Sequence, residues 1–281
     1  MCLALRQICF KKFESYRDNS RIFLSKNDVK MGAKCMSYFV TETNPIMIAF
    51  QESHRQKLIV SADDFGISPR ANRNILYLIS LGKINRVGIM INGEISSKEA
   101  SELIHSGVKL DIHLDILHKF DNNRKKRFGA FLRVIEFLGK ILTGKVSTKK
   151  VRVDWQQQVE KFQTIFGKYP DGINSHEHVH FFPPFFKVAL KLQEKYTIPY
   201  IRFGDSIKMR HHTIIAYILH LLRIINKRAC GEDGCVSSNY LVSLDWIKNI
   251  DAFINILPDG KTEIVCHPEL AEEFVKIKEY F

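Results

Sequence analysis

The residues best equipped for chemistry are acids and histidines, and they fall into a few short groups. Asp63 and Asp64 are adjacent, directly behind the β-branched run at 58–62. Two carboxylates at one strand end point in different directions, so one can hold a metal ion while the other stays free to take a proton. A plainer use for such a pair is to cap the next helix, but Ser68 ahead of Pro69 already supplies a cap and an opening proline. His113 alternates with Asp111 and Asp115, which places all three on one face of a strand. His176, His178 and His180 recur at every second position. On an extended segment that spacing lines three imidazoles along one side, a donor set for a divalent ion. His267, between Cys266 and Pro268, is an imidazole that can hold a proton near neutral pH and pass it to a leaving amine. Arg202 ends the run 200–203 and has three readings: holding a site carboxylate, binding substrate, or standing on the surface. The combined chemistry is metal-assisted hydrolysis. Structural readings stay open beside it: His113 as a hydrogen-bonded core histidine, 176–180 as a histidine-rich loop without metal, His267 as a strand cap.

These groups are spread over more than 200 positions, so the elements around them must bring them together. From residue 57 onward short β-branched runs alternate with helical patterns, the mark of βα units and a parallel sheet. The runs predict strands at 58–62, 86–91, 108–113, 172–175, 200–203 and 262–266, with a weaker one at 238–242. The helical patterns predict helices at 69–82, 97–106, 151–167, 183–196, 213–227 and 245–256. In parallel β/α architectures the C-terminal ends of the strands share one rim. Asp63, Asp64, His113, His176 and His267 all fall at such ends. The expectation is an α/β fold, a distorted TIM-like barrel of about seven parallel strands over 57–281. Residues 1–56 alternate charged and apolar positions without a sustained period and are expected to be a peripheral extension, with Met47 as an alternative start.

A chain of 281 residues with 45% hydrophobic content can bury one large core. Its six cysteines, at 2, 9, 35, 230, 235 and 266, contain no CxxC pair. Cys230 and Cys235 are close enough in sequence to bridge, but free thiols in a reducing cytosol are the expectation. The apolar patch at 1–5 is too short for a secretory signal, which points to a cytoplasmic protein. The net charge of +12 is uneven: 119–152 holds eleven basic residues against two acidic ones, and 206–231 holds five against none. No recognised nucleic-acid module accompanies them, so nucleic acid is not expected as a partner. Both stretches overlap apolar helical patterns, at 128–142 and 213–225, that are too short to span a bilayer. The expectation is a lobe near the site mouth that rests on the inner face of a membrane or grips a lipid-linked substrate, with plain core packing as the alternative.

Four motifs, SADDFGIS at 61–68, DIHL at 111–114, NSHEHVH at 174–180 and LPDGKTEIVCHP at 257–268, resemble in order and spacing those of the YdjC-like carbohydrate deacetylases. The resemblance runs from residue 57 to about 270. It implies a distorted β/α barrel that removes acetyl groups from N-acetylated sugars, such as chitooligosaccharides or glycolipid-linked N-acetylglucosamine, with one divalent ion. By this resemblance the ion is Mg2+, although two imidazoles and a carboxylate also suit Zn2+. Carried onto this sequence, Asp63 is the general base, Asp64, His113 and His176 are metal ligands, and His267 is the general acid. His178, His180 and Arg202 take supporting or substrate-binding places. A homodimer is among the expected assemblies. The rival functions are a non-catalytic sugar- or metal-binding relative and a metal-dependent phosphoesterase.

Overall fold

The computed structural model describes residues 56–116, 147–207, 214–231 and 234–281. Seven strands form one parallel sheet: β1 (Leu58–Phe65), β2 (Arg86–Ile89), β3 (Lys109–Leu114), β4 (Gly172–Ser175), β5 (Asp205–Ser206), β6 (Tyr240–Ser243) and β7 (Thr262–Cys266). Their spatial order is β4-β3-β2-β1-β7-β6-β5, which is chain order wrapped around a circle with β7 beside β1. A bridge between Ile173 and Ile201 ties β4 to the segment that leads into β5. The sheet therefore curls into a distorted barrel, in keeping with the expected fold class. The strands read as near-continuous apolar runs because both their faces are covered, by side chains inside the barrel and by helices outside.

Helices follow the strands: α1 (Pro69–Ser80), α2 (Ser97–His105), α3 (Thr148–Phe166), α4 (Pro183–Lys195), α5 (Ile214–Asn226), α6 (Ile250–Ile254) and α7 (Ala271–Tyr280). Local chemistry sets their starts. The Ser68 hydroxyl accepts from Ala71 N at the head of α1, and Ser96 with Glu99 forms a reciprocal capping box on α2. Ser147 caps α3, which begins one turn ahead of the predicted 151 because the cap precedes the first apolar position. The helix predicted at 245–256 is instead a 3-10 turn, Leu244–Trp246, followed by α6, because Asn249 caps a fresh start by accepting from Ala252 N. The strand predicted at 200–203 contributes only the Ile201 bridge, and the regular pairing with β6 comes at Asp205–Ser206.

One further expectation changes. Cys230 and Cys235 are joined in a disulfide rather than left as thiols. The chain reverses between them at Gly231 and Gly234, both in the left-handed region at φ 72, which brings the two Cα atoms to 5.0 Å. Helix α5 packs on the core in part: Ala216 and Asn226 are buried and Leu219 and Leu222 lie against the core, while Ile214 is 63% and Tyr217 61% exposed. The companion stretch at 128–142 lies outside the described residues, as does the 1–55 part of the expected extension. No helix among the described residues is long and apolar enough to cross a membrane.

Candidate active site

The site starts from an irregularity in β1. Its pairing with β2 shifts register between Ala62 and Phe65, and Asp64 has φ 68. In a regular strand Asp63 and Asp64 would face opposite sides of the sheet. The bulge and the left-handed Asp64 turn both carboxylates toward the same cluster of partners, a refinement of the expectation that they diverge. Glycine makes room for them. A Cβ at Gly88 on β2 would lie 2.6 Å from Asp63 Oδ1 and 3.1 Å from His113 Nδ1.

Asp64 gathers the histidines. Its Oδ1 is 2.8 Å from His176 Nδ1 and 3.2 Å from His113 Nε2. One donor atom from each of Asp64, His113 and His176 lies within 4.8 Å of the others. Two imidazole nitrogens and a carboxylate oxygen so arranged fit a divalent ion with bonds of about 2.0–2.2 Å. The Asn174 side-chain amide lies 2.6 Å from His113 Nδ1 and fixes that ring with Nε2 toward Asp64. Burial by itself would raise the Asp64 pKa, but the His176 and His113 contacts outweigh it and hold it well below the usual carboxylate range.

Asp63 engages a different partner. Arg202, fully buried rather than at the surface, forks onto it with Nη1 donating to Oδ2 at 2.6 Å and Nη2 to Oδ1 at 2.9 Å. Burial pushes Asp63 up, yet the Arg202 charge prevails and lowers its pKa to about 2. Asp63 is thus an anion at any physiological pH. Arg202 Nε donates to Glu263 Oε1 at 2.8 Å, and the same carboxylate accepts from Ser61 Oγ at 2.7 Å and Tyr200 OH at 2.6 Å. One layer below, Arg86 forks onto Asp111 at 2.8 and 2.5 Å, under the Tyr200 ring. Asp111 shares the inward face with His113, as its alternation implies, but it meets an arginine instead of the donor cluster.

The three histidines of 176–180 do not line one extended face. The segment is a 3-10 turn, His176–Phe181, in which Glu177 and His178 both have left-handed φ, 53 and 54. His176 goes to Asp64. His180 turns back: its Nε2–H donates to the Arg202 carbonyl at 2.9 Å and its Nδ1 accepts from the Ser175 hydroxyl at 2.6 Å. Burial lowers the His180 pKa to about 3, so it is a neutral brace for the backbone of Arg202. His178 Nδ1 is buried with no hydrogen-bond partner among the described residues, and burial, then the Arg202 charge, keeps this imidazole neutral.

His267 lies just past β7. Its backbone N donates to Glu273 Oε2 at 2.7 Å, and its Nδ1 is 3.5 Å from the same oxygen. Burial favours the neutral ring, but Glu273, with Asp64 and Asp63 behind it, raises the pKa to about 9. The ring keeps its proton at neutral pH. Glu263 and Glu273 were not among the candidates read from sequence. A glutamate in the middle of the apolar run TEIVC was the available signal for the first; for Glu273 on α7 no local pattern separates it from a solvated helix acid.

The model of the YdjC-like protein family matches residues 57–279, most of the chain. The chain belongs to the YdjC-like family. This YdjC-like chain is 30% identical over 227 residues to a carbohydrate deacetylase of Clostridium beijerinckii, covering 75% of the chain and 81% of that protein. It is 24% identical over 239 residues to a chitooligosaccharide deacetylase of Proteus mirabilis, covering 79% and 85%. The match to the carbohydrate deacetylase of Mus musculus, 24% over 156 residues, spans 53% of the chain and only 50% of the mouse protein. In three dimensions the fold resembles that of an Enterococcus faecalis protein described as acting in cellobiose-phosphate cleavage. That likeness has a TM-score of 0.50 at 20% identity and covers 75% and 80% of the two chains.

Proposed function

We propose that residues 57–281 form a carbohydrate deacetylase domain that hydrolyses the acetamide of an N-acetylated sugar and releases acetate. The observation that carries this reading is the adjacency of the Asp64, His113 and His176 group to the Asp63–Arg202 pair and to the protonated His267. Relatives named carbohydrate and chitooligosaccharide deacetylases agree with it. A divalent ion held by Asp64, His113 and His176 supplies Lewis acidity for amide hydrolysis. Asp63, oriented by Arg202, takes the proton of the attacking water. His267 gives its proton to the departing nitrogen. His178, with its unpaired buried nitrogen, faces substrate, and His180 holds Arg202 in place. The sequence resemblance favours Mg2+, and the donor set accommodates Zn2+ equally.

The test is acetate release from diacetylchitobiose and from an N-acetylglucosaminyl lipid, with and without chelator. Chelator-sensitive release from either supports the reading, and the substrate that works separates a soluble oligosaccharide from a lipid-linked sugar. Metal bound without turnover would favour the non-catalytic rival, and release of phosphate but not acetate the phosphoesterase. The exposed apolar face of α5 supports peripheral membrane contact, checked by flotation with anionic liposomes. Sedimentation equilibrium tests the homodimer. The sequence reading places the protein in the cytoplasm, at the inner face of the membrane, whereas a Cys230–Cys235 bridge belongs to an oxidising compartment. Blocking thiols at lysis decides: alkylation of both Cys230 and Cys235 means the cytoplasm, and a retained bridge puts the protein outside it.

A further inference from the structure

Outside the barrel, the first turns of α3 and the length of α4 enclose a groove of about 580 Å³. None of its lining residues belongs to the Asp/His cluster. Thr148, Lys149 and Arg152 come from α3, and Pro183, Pro184, Lys187, Val188 and Lys191 from α4. Four cations therefore line one concavity from two helices, and among the described residues no carboxylate lines it. Lys187 and Lys191 are one helical turn apart, as are Thr148 and Arg152, so each helix presents a stripe to the groove. The floor is apolar: Pro183 and Pro184, fixed in the first turn of α4, with buried Val188 behind them. Mutual repulsion among four cations is relieved by an anion, and an arginine fork beside lysines matches phosphate oxygens. The volume exceeds that of a phosphoryl group alone and leaves room for an attached organic part against the prolines.

We propose that the α3–α4 groove binds a phosphate ester, its phosphoryl group held by Lys149, Arg152, Lys187 and Lys191 and its organic part seated on Pro183, Pro184 and Val188. The ester is either a lipid headgroup or a soluble metabolite, and the chemistry of recognition is the same for both. The groove stands near the catalytic rim, since only seven positions separate His176 from Pro183, a reach of at most about 25 Å. It does not depend on the deacetylase assignment, because anion binding is read without turnover.

The experiment is titration calorimetry of the full chain with glycerol 3-phosphate at low salt, with chelator present so that no metal in the catalytic cluster takes the anion. It is repeated with Lys187→Gln/Lys191→Gln and with Lys276→Gln/Lys278→Gln, which removes the same charge from α7. The groove variant is expected to bind about 25-fold more weakly, about fivefold per cation, and the α7 variant to bind as the unaltered chain does. Flotation with phosphatidylglycerol or phosphatidylcholine vesicles then assigns the source. Glycerol 3-phosphate binding together with phosphatidylglycerol-dependent flotation lost in the groove variant indicates a lipid headgroup; glycerol 3-phosphate binding alone indicates a soluble ester. Absence of glycerol 3-phosphate binding, or equal weakening by both variants, overturns the proposal.

Discussion

The acids and bases of the cluster are set apart by their neighbours. Asp63 and His267 are both partly controlled by buried charge, but in opposite senses: Arg202 fixes the anion, and Glu273 fixes the cation. If His267 is the proton donor, turnover needs it protonated, so kcat should hold through neutral pH and fall as pH rises past about 9. Replacing Glu273→Gln removes the largest upward influence and should draw that alkaline limb toward the ordinary imidazole range; an unmoved limb would assign it to another group. Gly88→Ala inserts a methyl 2.6 Å from Asp63 Oδ1, so acetate release should drop at least tenfold with the circular dichroism spectrum unchanged. Glu263→Gln leaves Arg202 with one anion instead of two. It is expected to lower stability by about 3 kcal/mol in urea unfolding, because a buried cation has lost a partner.

Among the elements, the least regular ones carry the most function. The bulge in β1 aims two adjacent carboxylates inward, and the left-handed pair Glu177 and His178 sends three histidines in three directions. The periodic strands and helices were legible because burial repeats every two or three to four residues, and α3 shows it with Val151, Trp155, Val159, Phe162 and Phe166. Spacing at every second residue predicts an extended 176–180 segment because it has no other local meaning; the positive φ values at Glu177 and His178 accompany the tertiary placement of His176 and His180. The bridge from Cys230 to Cys235 fastens the end of α5 to the segment ahead of β6, where Val236 O accepts from Ile201 N. Cys235→Ser should therefore destabilise by about 2 kcal/mol, the chain-entropy value for so short a loop, read as a Tm lowered against the oxidised chain and equal to that of the reduced chain.

At the scale of the molecule, ionised groups are concentrated inside the barrel. Asp63, Glu263 and Arg202, with Asp111 and Arg86 beneath, form two linked layers of charge where many barrels place aliphatic side chains. This arrangement ties stability to pH. Asp63 is depressed from 3.8 to about 2, so its contribution is complete above pH 3.8 and is lost as pH falls toward 2. The urea midpoint should accordingly fall between about pH 4 and pH 2, and Asp63→Asn should flatten that fall; an equally steep decline in the variant would place the acid sensitivity elsewhere.

The sequence by itself determined the order and kind of most elements, though not α7, together with the Ser68 cap that starts α1 and the short list of acids and histidines at strand ends. These are local properties, written in spacing and in residues a few positions apart. Only the tertiary structure decided who meets whom: Arg202 with Asp63 across 139 positions, Glu263 across 61 from Arg202, and Glu273 beneath His267. Such pairings depend on strand register and barrel closure, which no local period encodes. The same closure turned Arg202 from a plausible surface residue into the buried hinge of the charge network and drew Lys187 and Lys191 beside Arg152.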